Sequence, residues 1–270
     1  MRMTERVALV TGAAAGIGKG VARRFASEGA RLWLSDIQVD AGEQVAADIR
    51  KDFGTEVSFG RADVSQRQEV DAMVQAALAR FGRVDVLVNN AWGPRPGRRG
   101  YSRVETLDEL DMDWALRIGS SAALWAMQSV FAGMRERRWG RVINMCSLNG
   151  VNAHPFSVDY NMAKEALRTL TRTAAREWAP YGICCNAICP GAATEAYQKF
   201  AAAQPDNAAA MLKLNPMGRM GDPETDIGSV AVFLASEDCR YLTGNTLFVD
   251  GGSHINGVPW FPQPPASGTS

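Results

Sequence analysis

Val7-Ala-Leu-Val-Thr-Gly-Ala-Ala-Ala-Gly-Ile-Gly18 is the stretch of this 270-residue chain that decides how the rest is read. Val7 to Val10 is a short apolar strand, and glycines at positions 12, 16 and 18 follow it, leading into an amphipathic helix predicted from Ile17 to Ser27. Glycines so placed let the backbone turn tightly and approach a pyrophosphate, whose charge then rests on the amides and positive dipole of the helix N-terminus. The same turn can also be no more than a tight turn. Asp36 weighs against that, because it ends the next strand about 20 residues on, where an acidic side chain accepts hydrogen bonds from the adenosine ribose hydroxyls.

Outward from this turn, short apolar runs recur: Arg31 to Leu34, Val57 to Phe59, Val84 to Val88, Arg141 to Asn144, Ile183 to Ile188 and Thr246 to Val249. Longer amphipathic stretches separate them, at Val39 to Asp52, Gln66 to Phe81, Asp108 to Met134, Tyr160 to Ala179 and Thr225 to Ala235. That alternation predicts an α/β fold, a Rossmann-like doubly wound parallel sheet with right-handed crossovers. Strands that are almost continuously apolar, rather than alternating, require helices on both faces. One dinucleotide-binding and catalytic domain is expected over residues 1–256, with an irregular, proline-rich tail at 257–270. Two stretches break the rhythm after strands, Trp92 to Arg103 and Ala192 to Gly221. Ligands bind beyond the carboxyl ends of such strands, so both are expected to shape a site, the second as a lid over about 192–217.

The composition narrows the function. The chain has 29 basic and 29 acidic residues, so no net field draws it to nucleic acid or an anionic membrane, and neither is expected as a partner. Cys146, Cys184, Cys185, Cys189 and Cys239 are odd in number and lack zinc spacing in a chain with two histidines; free thiols in a reducing compartment and no metal are expected. Met1 to Arg6 is short and polar and leads directly into the first strand. Neither a cleavable signal nor a spanning helix is expected, which makes the cytoplasm the expected compartment.

The same reading favours NAD(H) as the cofactor. The Asp36 carboxylate repels a 2′-phosphate, and Ala13, Ala14, Ala15, Ile37 and Gln38 offer no cation to neutralise one. Lys19, Arg23 and Arg24 read as the solvated face of the first helix, the alternative being an arginine that reaches round. Asp63-Val64, after the third strand, is open to two readings, an adenine contact or a helix cap.

The reaction chemistry is read from three residues. Tyr160 and Lys164 lie one helical turn apart on one face, so the ammonium can stabilise a tyrosinate whose unperturbed pKa of about 10 is otherwise too high for a base near neutrality. Ser147 follows the strand that ends near Cys146, at the edge where a nicotinamide should lie, and its hydroxyl can hold a substrate oxygen.

These segments, taken in order, resemble the short-chain dehydrogenase/reductase family over almost the entire chain. Thr11 to Gly18 (with Gly12, Ala15, Gly16, Ile17 and Gly18) resembles its glycine motif, Asp63-Val64 its adenine contact, and Asn89-Asn90-Ala91 most of its Asn-Asn-Ala-Gly motif. Ser147 with Tyr160-Asn-Met-Ala-Lys164 resembles its catalytic set, and Pro190-Gly191 its Pro-Gly turn. The resemblance implies hydride transfer between a nicotinamide and a secondary alcohol or ketone, and a homodimer or homotetramer formed through Ser120 to Met134 and Tyr160 to Ala179. Three positions depart from the pattern. The family's relay asparagine falls on Gly119, so Ser120, Ser121 or a water on nearby carbonyls must complete the relay, or it is weakened. Trp92 stands in place of a glycine and reads either as a pocket wall or as a core aromatic. Thr194 comes one residue early for its carboxamide contact. The substrate pocket is expected from Trp92, Asn149, His154 and Phe156 together with the lid. A 3-oxoacyl thioester reductase using Arg95, Arg98, Arg99 and Arg103 is the alternative enzyme, and a non-catalytic dinucleotide sensor the alternative class.

Overall fold

The computed structural model describes residues 1–98 and 102–255. Strands β1 (Val7–Thr11), β2 (Arg31–Asp36), β3 (Val57–Arg61), β4 (Val86–Asn89), β5 (Gly140–Met145), β6 (Ile183–Pro190) and β7 (Thr246–Val249) form one sheet in the order β3-β2-β1-β4-β5-β6-β7. Every adjacent pair is parallel. The fold is thus the single-domain, doubly wound parallel sheet expected from the sequence. The strand order reverses between β1 and β4, which opens a crevice above their carboxyl ends.

Consecutive residues of the central strands are buried because each face of the sheet has its own helices. Ala8 and Val10 of β1, with Val86 and Val88 of β4, pack towards α1 (Gly16–Ser27) and α10 (Gly228–Ala235), the core that also takes in α2 (Val39–Phe53). Leu9 and Leu87 face the other way, onto α3 (Arg67–Phe81), α5 (Ala122–Glu136) and α7 (Val158–Trp178). The polar Asp85 just ahead of β4 is fully buried, where it accepts hydrogen bonds from the Val7 amide and the Arg83 guanidinium. It ties the start of β1 to β4, so both strands deliver their carboxyl ends to the same crevice.

Two expectations need correction. The stretch Asp108 to Met134 is not one helix: α4 (Glu109–Leu116) passes through a π turn at Arg117–Ser121 into α5. Its residues continue a helical pattern, and Gly119 in the turn packs against Ala163 of α7 and the Trp92 ring. The second is the lid, placed where the strand–helix rhythm breaks, which contains α8 (Glu195–Ala203) and α9 (Pro205–Lys213). Both are alanine-rich, and alanine is the strongest helix former; Pro205 occupies the first helical position of α9, where its missing N–H costs nothing. A short helix, α6 (Leu148–Val151), follows β5, and α10 is preceded by a π turn at Pro223–Ile227 capped by Asp222. The tail expected at 257–270 lies outside the described residues. All five cysteines are buried and free. Among the described residues no helix is long and apolar enough to cross a membrane.

Candidate active site

The turn from β1 into α1 is locked from beneath by the end of β4. Asn90 Nδ2 donates to the carbonyls of Thr11 and Gly12, both at 3.0 Å, while Thr11 Oγ1 accepts from the amides of Asn90 and Ala91. The fit tolerates no side chain at Gly18, where a Cβ would stand 2.0 Å from the Gly12 carbonyl oxygen. Gly12 itself has φ +65°, and a Cβ there would meet the Ala91 backbone at 2.8 Å. The N-terminus of α1 carries no side-chain cap and no acidic residue in its first turn, so its amides face the crevice. One of them, Gly16 N, donates to Glu195 Oε2 at 3.0 Å.

Above this turn lies a cleft of about 690 Å³, large enough for a dinucleotide and a substrate together. Its walls include Gly12, Ala15, Gly16, Ile17, Asp36, Ile37, Asp63, Val64, Asn90, Ala91, Pro190 and Gly191, all expected from the sequence. Gly18 supports this wall from behind. The Asp36 carboxylate, at the end of β2, accepts from the Ala14 amide (3.0 Å) and the Gln38 amide (3.0 Å), which fixes it at the lip. Asp63 accepts from the Ser65 amide at 2.9 Å and lines the cleft; it does not cap α3, whose N-cap position is Gln66 and carries no side-chain bond.

At the other end of the cleft stand Ser147, Tyr160 and Lys164. Ser147 caps α6, accepting from the Asn149 amide at 3.2 Å. Tyr160 lies in the first turns of α7, and Lys164 Nζ donates to the Met145 carbonyl at 2.8 Å. Burial raises the Tyr160 pKa, opposed by the Ser147 hydroxyl, and burial lowers that of Lys164. Both shifts have one cause, the loss of water around a group that would carry charge. The thiols of Cys146 and Cys189 beside them are pushed up to about 11 and about 12 by the same desolvation, which keeps both neutral.

A family model described as enoyl-(acyl carrier protein) reductase, of the short-chain dehydrogenase type, matches residues 12–254. The chain belongs to the short-chain dehydrogenase/reductase family. A 12α-hydroxysteroid dehydrogenase of a Clostridium species is 35% identical over 253 residues, covering 92% of this chain and 96% of that protein. The crystal structure of a levodione reductase superposes with a TM-score of 0.87 at 33% identity, covering 94% of this chain and all of that one. A putative NAD(P)-dependent gluconate 5-dehydrogenase from Beutenbergia cavernae, with NADP bound at low occupancy, superposes with a TM-score of 0.85 at 31% identity over 93% and 98% of the two chains. This short-chain dehydrogenase is therefore an oxidoreductase of a family that binds a nicotinamide dinucleotide.

Trp92 lines the cleft, but Asn149, His154 and Phe156 are not among its lining residues. His154 Nδ1 lies 3.4 Å from Ser157 Oγ, and Phe156 is half exposed under the Arg103 guanidinium. The cleft is also lined by Gly93, Pro94 and Pro96 of the loop after β4 and by Trp114 of α4. Trp114 Nε1 donates to the Gly93 carbonyl at 3.0 Å, tying helix to loop. Trp114 was hidden inside an ordinary helical pattern, and Glu195 inside a segment read as lid. Thr194 lines the cleft too, but its hydroxyl caps α8 by accepting from the Tyr197 amide.

The arginine-rich loop is also engaged within the protein. Arg95 pairs with Asp111 at 2.6 Å, and Arg98 pairs with Asp159, the residue before Tyr160. Arg103 pairs with Glu105, and Arg99 lies outside the described residues. Ser120 Oγ donates to the Leu116 carbonyl within its own helix. Beside Gly119 and Lys164 lies a cavity of about 20 Å³, also lined by Thr11 and Asn89, with room for one water.

Proposed function

We propose that the protein is an NAD(H)-dependent dehydrogenase/reductase that interconverts a secondary alcohol and its ketone, with Tyr160 as acid/base. The observation that carries this reading is the convergence of Ser147, Tyr160 and buried Lys164 at one end of a dinucleotide-sized cleft. The glycine turn fits the pyrophosphate, Asp36 the adenosine ribose and Pro190-Gly191 the nicotinamide part of the cofactor, which supplies or accepts the hydride when bound. Ser147 holds the substrate oxygen by its hydroxyl. Tyr160 takes the alcohol proton in oxidation and returns it in reduction, and the Lys164 ammonium lowers the cost of the tyrosinate. The small cavity beside Gly119 supports the water version of the relay, because Ser120 is already bonded within its helix.

Preference for NAD(H) over NADP(H) is supported by the surroundings of Asp36. Arg23 is held by Glu224 at 2.8 Å and by Asp52 at 2.9 Å, and Arg24 pairs with Glu28, so neither reaches round to a 2′-phosphate. Asp36→Ala is expected to lower kcat/KM with NAD+ by about tenfold and to raise it with NADP+, because charge-assisted bonds of this kind are worth about 1.5–3 kcal/mol. Parallel initial rates with the two nucleotides check this.

The substrate is a largely apolar, cyclic or polycyclic alcohol or ketone, as the Trp92–Pro94–Pro96–Trp114 wall and the steroid- and levodione-active relatives suggest. The acyl-carrier alternative loses its support, since Arg95 and Arg98 are already paired. Exposed Leu124 on α5 and Met162 on α7 suit a homo-oligomer, and five free thiols suit the cytoplasm.

Initial rates over a panel of cyclic, aryl and aliphatic secondary alcohols with NAD+ test this reading; nucleotide binding without turnover on any member would favour the sensor. Because the base form of Tyr160 serves oxidation and burial raises its pKa, alcohol oxidation should climb towards alkaline pH. Ketone reduction, which needs the protonated form, should hold at neutral pH and decline as the pH becomes alkaline. Rate profiles in both directions on one substrate pair check the sign.

A further inference from the structure

Two of the three positions read above as departures from the family pattern, Gly119 and Trp92, pack side by side. A Cβ at Gly119 would stand 3.0 Å from the Trp92 ring and 2.9 Å from the Ala163 Cβ, so a larger residue there would displace the indole or lift the π turn off α7. With no side chain at 119, the Trp92 ring stands edge-on to Tyr160, centroids 4.7 Å apart and planes at 80°. Lys164 Nζ lies 5.3 Å from the indole centroid.

We propose that Trp92, admitted by Gly119, is a positioning residue for the Tyr160–Lys164 pair, its edge contact fixing the tyrosine ring and its π face helping to keep the lysine ammonium charged. This rests on the acid/base reading above.

Lys164 is buried, and among the described residues its hydrogen bond goes to a neutral carbonyl, that of Met145. The titratable groups facing it from β5 and β6 are the thiols of Cys146 and Cys189, both neutral at working pH. On its own helix, Glu165 and Arg168 bond each other, while Asp159 is paired with Arg98. No carboxylate among the described residues pairs with the ammonium, so aromatic faces are a substantial part of what replaces water around it. The Arg98–Asp159 and Arg95–Asp111 pairs hold the loop bearing Trp92 against α7 and α4.

The sign of the effect follows. Leucine at 92 keeps the site dry but removes the π face; the ammonium is less favoured, and Tyr160 then ionises at higher pH.

The test uses Trp92→Leu and Trp92→Phe, each with and without Tyr160→Phe. Tyrosinate absorbance is titrated as a difference between each pair, which reads Tyr160 without needing turnover. Trp92→Leu should shift the Tyr160 titration up by about one pH unit, and Trp92→Phe by much less, since it retains a ring face. The alkaline limb of kcat for oxidation should move with it, and kcat near neutrality should fall about tenfold, with KM for NAD+ nearly unchanged. A Tyr160 titration in Trp92→Leu at the wild-type pH overturns the inference, whatever the rates. A shifted titration in a protein that turns over no substrate supports the contact and removes the acid/base reading instead.

Discussion

Tyr160→Phe is expected to lower kcat for alcohol oxidation by about 10²–10⁴-fold, the range for removing a positioned general acid/base. The substitution deletes one oxygen and keeps the ring that packs on Trp92 at 4.7 Å, so α7 and the cleft should be undisturbed. Ser147 remains able to bind the substrate oxygen, but no group within reach then carries the proton. The glycine turn, Asp36 and Asp63 lie at the far end of the cleft, so nucleotide affinity should change by less than about threefold. Initial rates by NADH absorbance and nucleotide titration by fluorescence separate the two effects. A variant that keeps more than about a tenth of wild-type kcat would show the proton moving by another route.

Gly18→Ala should act at the opposite end and in the opposite manner. Its Cβ would stand 2.0 Å from the Gly12 carbonyl oxygen and 2.6 Å from Asn90 Nδ2, the atom that bonds the Thr11 and Gly12 carbonyls. Neither is the end of a flexible side chain with room to swing away, so the turn itself must move and the α1 amides lose their aim. Dinucleotide affinity should fall by about 10- to 100-fold, as one or two charge-assisted bonds are lost. Overpacking at a closely fitted site costs about 1–3 kcal/mol, so Tm should drop by roughly 2–10 °C. Calorimetric titration with NADH and a thermal melt measure both. Wild-type affinity in this variant would mean that the turn does not hold the pyrophosphate.

The sheet was legible because its strands are short, apolar and closed by turns, and because burial on both faces leaves no alternation to confuse with an exposed strand. The opposed packing of Leu9 against Ala8 and Val10 is what that pattern means in space. Tyr160, Lys164 and Ser147 were legible for a related reason: one helical turn and one strand end bring them together without help from distant loops. The substrate wall was not. Trp114 lines the cleft from within α4, and nothing in the periodicity of 108–134 distinguishes it from a core aromatic or announces the π turn that follows. The arginines after β4 looked free because their partners, Asp111 and Asp159, lie 16 and 61 residues further along the chain. Glu195 was passed over because its segment was read only as a lid over the site, yet α8 opens with it against the Gly16 amide.

Direct transfer of hydrogen tests the central claim most closely. Wild-type protein and Tyr160→Phe are incubated with NAD+ and cyclic secondary alcohols deuterated at the carbinol carbon, and the nucleotide is then weighed by mass spectrometry. Deuterated NADH and the matching ketone should form with wild type and be nearly absent with Tyr160→Phe. Nucleotide that binds yet stays oxidised with every alcohol, or deuterium transfer equal in the two proteins, would contradict the account.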